Sequence, residues 1–142
     1  MTTMAGDRRG TLWTAVCAAV LAGVVLWLLW PRGGAGPAVL RNGTAHYLVR
    51  LTVHTPRTGV RPVTVDVTDL RGRPVTLREV TVEPVMPHMG HAVEPVAAVA
   101  EGPGRYRAAN LSLPMAGAWE FDVLLHGPTG TDQVVFPLLI TG

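Results

Sequence analysis

The stretch Tyr47-Leu48-Val49-Arg50-Leu51-Thr52-Val53 decides the fold class. Tyr47, Val49, Leu51 and Val53 fall on one face of an extended chain. Arg50 and Thr52, with His46 and His54 at the flanks, fall on the other. A period of two marks a half-buried strand, because successive side chains point to opposite faces. The pattern continues outward. Val63, Val65 and Val67 alternate with Thr64, Asp66 and Thr68. After the Asp69–Gly72 turn, Val75 and Leu77 carry it on until the phase slips at Arg78–Glu79, ahead of Val80 and Val82. Such a slip predicts a bulge or the boundary between two short strands. Trp119, Phe121, Val123 and Leu125 alternate with Glu120 and Asp122, and Gly127–Gly130 closes a hairpin onto Val134–Ile140. Pro62, Pro74, Pro84, Pro95 and Pro137 interrupt the runs and argue against long helices. Short strands with turn signals about every 8–12 residues predict an all-β antiparallel sandwich over residues 44–142.

Upstream the chain changes character. Thr11 to Trp30 contains no charged residue and spans roughly 30 Å as a helix, the thickness of a bilayer core. Trp13 near one end and Trp27 and Trp30 at the other resemble interfacial aromatic belts. Residues 11–30 are therefore expected to form a transmembrane signal-anchor helix in contact with membrane lipid. A cleaved signal peptide is the rival, with Gly36 and Ala38 as small residues for cleavage, but secretory apolar cores are shorter, roughly 7–15 residues. Arg8 and Arg9 against Arg32 place the tail 1–10 in the cytoplasm and the C-terminal domain on the extracytoplasmic side of the cell membrane. Residues 31–43, PRGGAGPAVLRNG, read as a Gly/Pro-rich linker.

Size and charge narrow the function. About 100 residues remain after the first forty, too few for most barrel or doubly wound enzymes. Twelve basic residues, all Arg, against ten acids are too even and too scattered for a nucleic-acid footprint. The single cysteine, Cys17, lies inside the apolar run, which excludes a disulfide framework, a thiolate zinc site and a cysteine nucleophile from the globular part. Ser112 is the sole serine and has no partner in any catalytic motif; no phosphate loop, dinucleotide fingerprint or metalloprotease helix is present. The chain is not expected to be an enzyme.

One constellation carries chemistry: Val85-Met86-Pro87-His88-Met89-Gly90-His91. Thioether sulfur and imidazole nitrogen together suit copper, with sulfur favouring Cu(I) over Cu(II). Zinc normally takes thiolate or carboxylate beside imidazole, and calcium or magnesium takes clustered carboxylates. If Val80–His88 and His91–Ala100 form a hairpin, the chain descends eleven residues from His91 to Gly102 and returns eleven from Gly104 to Met115. Met115 should then share one end of the sheet with Met86, His88, Met89 and His91, and these five are the expected metal ligands. Met86 and His88 share the inward phase of Val80 and Val82, so core packing of Met86 is the competing explanation. His126 should lie at the opposite end, and His46, His54 and His126 read as solvated histidines.

Four motifs in order carry a family resemblance: V-D-V-T-D-L-R-G-R-P-V (Val65 to Val75), M-P-H-M-G-H (Met86 to His91), G-P-G-R-Y-R-A (Gly102 to Ala108) and L-P-M-A-G-A-W-E-F-D-V (Leu113 to Val123). Residues 45–140 resemble the YtkA-like domain, with a looser likeness to FixH-type proteins. The resemblance implies an immunoglobulin-like β-sandwich, secreted or membrane-anchored, found beside copper-handling and heavy-metal efflux proteins. It places the family's Met-Pro-x-Met-Gly-His stretch on Met86–His91 and its Met-x-Gly-x-Trp stretch on Met115–Trp119, with His88 an addition of this chain. The expected function is Cu(I) buffering or delivery, with a copper-handling or respiratory membrane protein as partner. The alternative is a metal-free accessory module supporting a neighbouring membrane protein.

Overall fold

The computed structural model describes residues 36–142, with Val20 alone before them. The expected tail 1–10, helix 11–30 and most of the linker lie outside the described residues. Among the described residues, no helix is long and apolar enough to cross a membrane.

Ten strands follow in chain order: β1 (Ala38–Gly43), β2 (Tyr47–Val53), β3 (Gly59–Asp69), β4 (Glu79–Met86), β5 (His91–Ala92), β6 (Val96–Ala97), β7 (Val99–Gly102), β8 (Arg105–Leu113), β9 (Gly117–Gly127) and β10 (Gly130–Ile140). They form two sheets, β1-β2-β3-β8-β7 and β10-β9-β4-β5, with β6 also on β4. All strand pairings are antiparallel, and the fold is an all-β two-sheet sandwich. The inward positions of both sheets meet in one core. Leu51, Val63 and Val65 from the first sheet face Val82, Phe121 and Phe136 from the second, all buried. Burying each such side chain contributes about 1.5–3 kcal/mol, and no polar side-chain atom is left buried without a partner among the described residues.

The domain starts earlier than expected. A linker is expected over residues 31–43, but Ala38–Gly43 is a strand that pairs with β2 in register, Ala38 with Val53 through Gly43 with Leu48. Ala38 and Leu40 pack on the core while Val39 and Arg41 face out. Two inward residues, Ala38 and Leu40, are too short a period to recognise, and an edge strand takes its hydrogen bonds from its neighbour whatever its sequence. Asn42 Nδ2 donates to the Val135 carbonyl (3.0 Å) and Thr44 Oγ1 to Asp132 (2.9 Å), which sets β1 beside β10 and closes one side of the sandwich.

The slip at Arg78–Glu79 is a strand boundary. Thr68 bridges Pro74 in the first sheet, the chain then crosses the core edge, and β4 begins in the second sheet. The Tyr106 hydroxyl accepts the Leu77 N–H at 2.6 Å and steadies this crossing. Val75 and Leu77 therefore do not extend a strand, although both pack on the core.

The turn before that crossing depends on one carboxylate. Asp69 accepts N–H bonds from Arg71 and Arg73 at 2.9 Å each, and the Arg73 Nε–H at 2.8 Å. The Arg73 backbone N–H, then the Arg73 side chain and the Arg71 N–H, hold its carboxyl below the usual aspartate range. A lowered folded-state pKa means that the contribution is present above the unfolded value and is lost as pH falls through the folded one. The Asp69–Arg73 turn should loosen only in that acid window, and the Arg71 and Arg73 amide resonances should shift with it in an NMR titration. Asp69→Asn should abolish the transition.

Candidate metal centre

The inward phase of β4, Val80, Val82 and Pro84, ends on Met86, which is 4% exposed. Pro87 then opens a single 3-10 turn, Pro87–Met89, which stops the strand. Gly90 ends the turn at φ 59°, a left-handed conformation that suits glycine, and its N–H donates to the Pro87 carbonyl at 3.2 Å. The chain reverses and His91 comes to lie opposite Met86. His88 does not keep the inward phase assigned to it from sequence. The turn throws it to the surface, beside a shallow groove bordered by Ala118, Glu120 and Leu138. Met89 is 64% exposed and His91 is exposed as well.

The return strand also differs from the expected continuous hairpin. β5 pairs with β4 through Val85 and Met86, and β6 through Thr81 and Val82. One extra residue lies between the two registers, where Val93 N–H donates to the Pro84 carbonyl at 3.0 Å. After Ala98, whose N–H donates to the Val80 carbonyl, the chain leaves this sheet and joins the other as β7. Glu94-Pro95 interrupts the ladder because proline has no N–H to give it.

The chain nevertheless comes back to the level it left. β8 runs to Leu113, and β9 starts at Gly117 in antiparallel register with β4, with Val85 opposite Glu120. The end of β4 and the start of β9 are thus the same end of the sandwich, and Met115 lies two residues before β9. Its carbonyl accepts the Trp119 Nε1–H at 3.1 Å, and the residue is 38% exposed. Met86 packs against Gly117 from the core side: a Cβ there would stand 3.1 Å from the Met86 methyl, so the missing side chain makes room for it. His126 pairs with Glu79, at the far end of β4.

The five expected ligands therefore share one end but face two ways. Met86 points into the core, while His88, Met89, His91 and Met115 face solvent. Among the described residues, no three His, Cys, Asp or Glu side chains are grouped closely enough to hold a metal ion. An ion at this end would have to take thioether sulfur. The other histidines are engaged elsewhere: His46 Nδ1 with Asp132 at 3.0 Å, His54 Nε2 with the Thr64 hydroxyl at 3.2 Å, and His126 Nδ1 with the Thr131 hydroxyl at 2.9 Å. Glu120, which shares the groove with His88, was not foreseen, because its nearness comes from cross-strand register and leaves no local spacing signal.

An antiparallel two-sheet sandwich with a methionine–histidine turn at one end and Met115 just before β9 defines a class of small β-domain. The YtkA-like family model matches residues 42–123, more than half of the chain, and the chain belongs to that family. The matched segment includes both Met86–His91 and Met115–Trp119 and stops before β10. The family is not a known enzyme family. Comparisons with curated proteins and with solved structures gave no match.

Proposed function

We propose that the protein is an immunoglobulin-like sandwich held outside the cytoplasm by a transmembrane helix at 11–30, and that it binds Cu(I) for buffering or delivery. His88, Met89, His91 and Met115 supply the donors; Met86 underlies the site as its packed floor. The carrying observation is that the turn Pro87–Met89 and Met115, far apart in sequence, stand at one end with their donors turned to solvent. The donor set is soft, containing thioether and imidazole and no thiolate, which fits Cu(I) better than zinc. A copper-handling or respiratory membrane protein is the fitting recipient.

The second reading, a metal-free accessory module, is favoured by Met86, whose burial needs no ion to explain it. Anaerobic titration of the full-length protein in detergent with Cu(I), against a competing chelator, separates the two. The metal reading expects the chain to retain one equivalent against the chelator. Failure to retain any metal leaves the accessory module, and tight Zn²⁺ binding without Cu(I) overturns the soft-donor argument.

A further inference from the structure

The outer face of the sheet β1-β2-β3-β8-β7 carries an unbalanced row of charge. Register sets Arg41 opposite Arg50, Arg50 opposite Asp66, and Asp66 opposite Arg105. Three guanidiniums and one carboxylate thus cross four strands in line. The carboxylate is taken, since Arg105 donates from Nε at 2.7 Å and Nη2 at 3.3 Å to the two Asp66 oxygens. Among the described residues, Arg41 and Arg50 make no ion pair, and like charges placed directly opposite repel. Between them runs an open groove of ≈ 470 Å³, lined also by Leu48 and Thr68.

The same face exposes apolar side chains one at a time: Val39 on β1, Leu48 on β2, Val60 on β3 and Val99 on β7, all between 45% and 71% exposed. The opposite face has the reverse sign. Glu79, Glu83, Glu120 and Asp122 lie outward on β4 and β9, and β4, β9 and β10 contain no arginine.

We propose that the basic face lies flat against an anionic lipid bilayer. Guanidiniums reach lipid phosphates, the groove at Arg41 and Arg50 takes a headgroup, and the scattered apolar side chains enter the interface between headgroups. A second copy presenting its acidic face would satisfy the arginines but press carboxylates onto Val39, Leu48 and Val60. The acidic face turned away from the membrane fixes which side lies down. This surface uses none of the proposed metal donors and stands whether or not copper binds.

Hydroxyl-radical footprinting of the full-length protein tests it, in nanodiscs of phosphatidylcholine with or without phosphatidylglycerol. Leu48 and Val60 should be labelled several-fold less in the anionic discs, while Leu139, on the other sheet, should not change. Arg41→Gln and Arg50→Gln should each weaken the contact roughly fivefold and together restore labelling, since one basic residue near an anionic surface is worth about that factor. Glu83→Gln should leave the pattern as it was. Equal labelling of Leu48 and Val60 in both discs overturns the proposal. Protection that tracks protein concentration in detergent also overturns it, because the occupant is then a second copy.

Discussion

Trp119→Ala is expected to remove about 3–5 kcal/mol of folding free energy, the range for truncating a large buried aromatic. The ring is 1% exposed, sits among the largest buried side chains, and joins the start of β9 to the core. For a domain near 100 residues that corresponds to a fall in Tm of roughly 15–30 °C, readable by calorimetry. Trp119→Phe separates packing from tethering. It keeps most of the apolar bulk but removes the N–H that the Met115 carbonyl accepts, at a cost of about 1 kcal/mol for the lost hydrogen bond and more for the lost ring volume. An alanine variant within about 1 kcal/mol of wild type would show that Trp119 is not the keystone its burial implies.

Met115→Leu should do the opposite, sparing the fold and damaging the proposed site. The residue is partly exposed and leucine preserves its bulk, so stability should change by less than about 1.5 kcal/mol. Cu(I) affinity should fall at least about tenfold, because even outer-shell partners of a metal are worth 10–100-fold. Met86→Leu gives the contrast: its sulfur faces the core, so a small stability change should come with unaltered copper retention. Imidazole must be neutral to bind a metal, so wild-type affinity should weaken as pH falls, and His88→Ala combined with His91→Ala should flatten that dependence. Equal copper retention by wild type, Met115→Leu and the double histidine variant would rule out the proposed donor set.

Most of the fold was legible where alternation was long. In β2, β9 and the central part of β3 the apolar residues named from the period-two pattern are the buried ones, because one face of each strand is covered along its whole length. Legibility failed where register or turn geometry overrode pattern. β1 has two inward residues and takes its order from β2. Val75 and Leu77 point inward while crossing between sheets, so burial there does not mean strand. At the candidate site, the expected hairpin of Val80–His88 with His91–Ala100 implied a turn between them, yet which way His88 would face depended on the 3-10 geometry of Pro87–Met89. Counting residues did bring Met115 to the right end, since a descent and a return of equal length meet even when the descending strand is broken. The basic row across four strands was not legible at all, because Arg41, Arg50 and Arg105 become neighbours only through pairing.

The broken return strand has a consequence for how the domain breathes. From Pro87 to Pro103 no residue is buried, and only a few bonds hold β5 and β6 to β4. Segments with so little apolar cover open at a small fraction of the global unfolding free energy, while β2, β3 and β9 stay closed. Opening this stretch would carry His88, Met89 and His91 away and leave Met115 in place, anchored through Trp119. An ion shared between the two would act as a cross-link from the loosest part of the chain to one of the tightest, and part of its binding free energy would be spent on ordering the loose part. Affinity and local motion would then be a single quantity: a change that stiffens Glu94–Ala98, without touching a donor, would tighten the grip on the metal and slow its release.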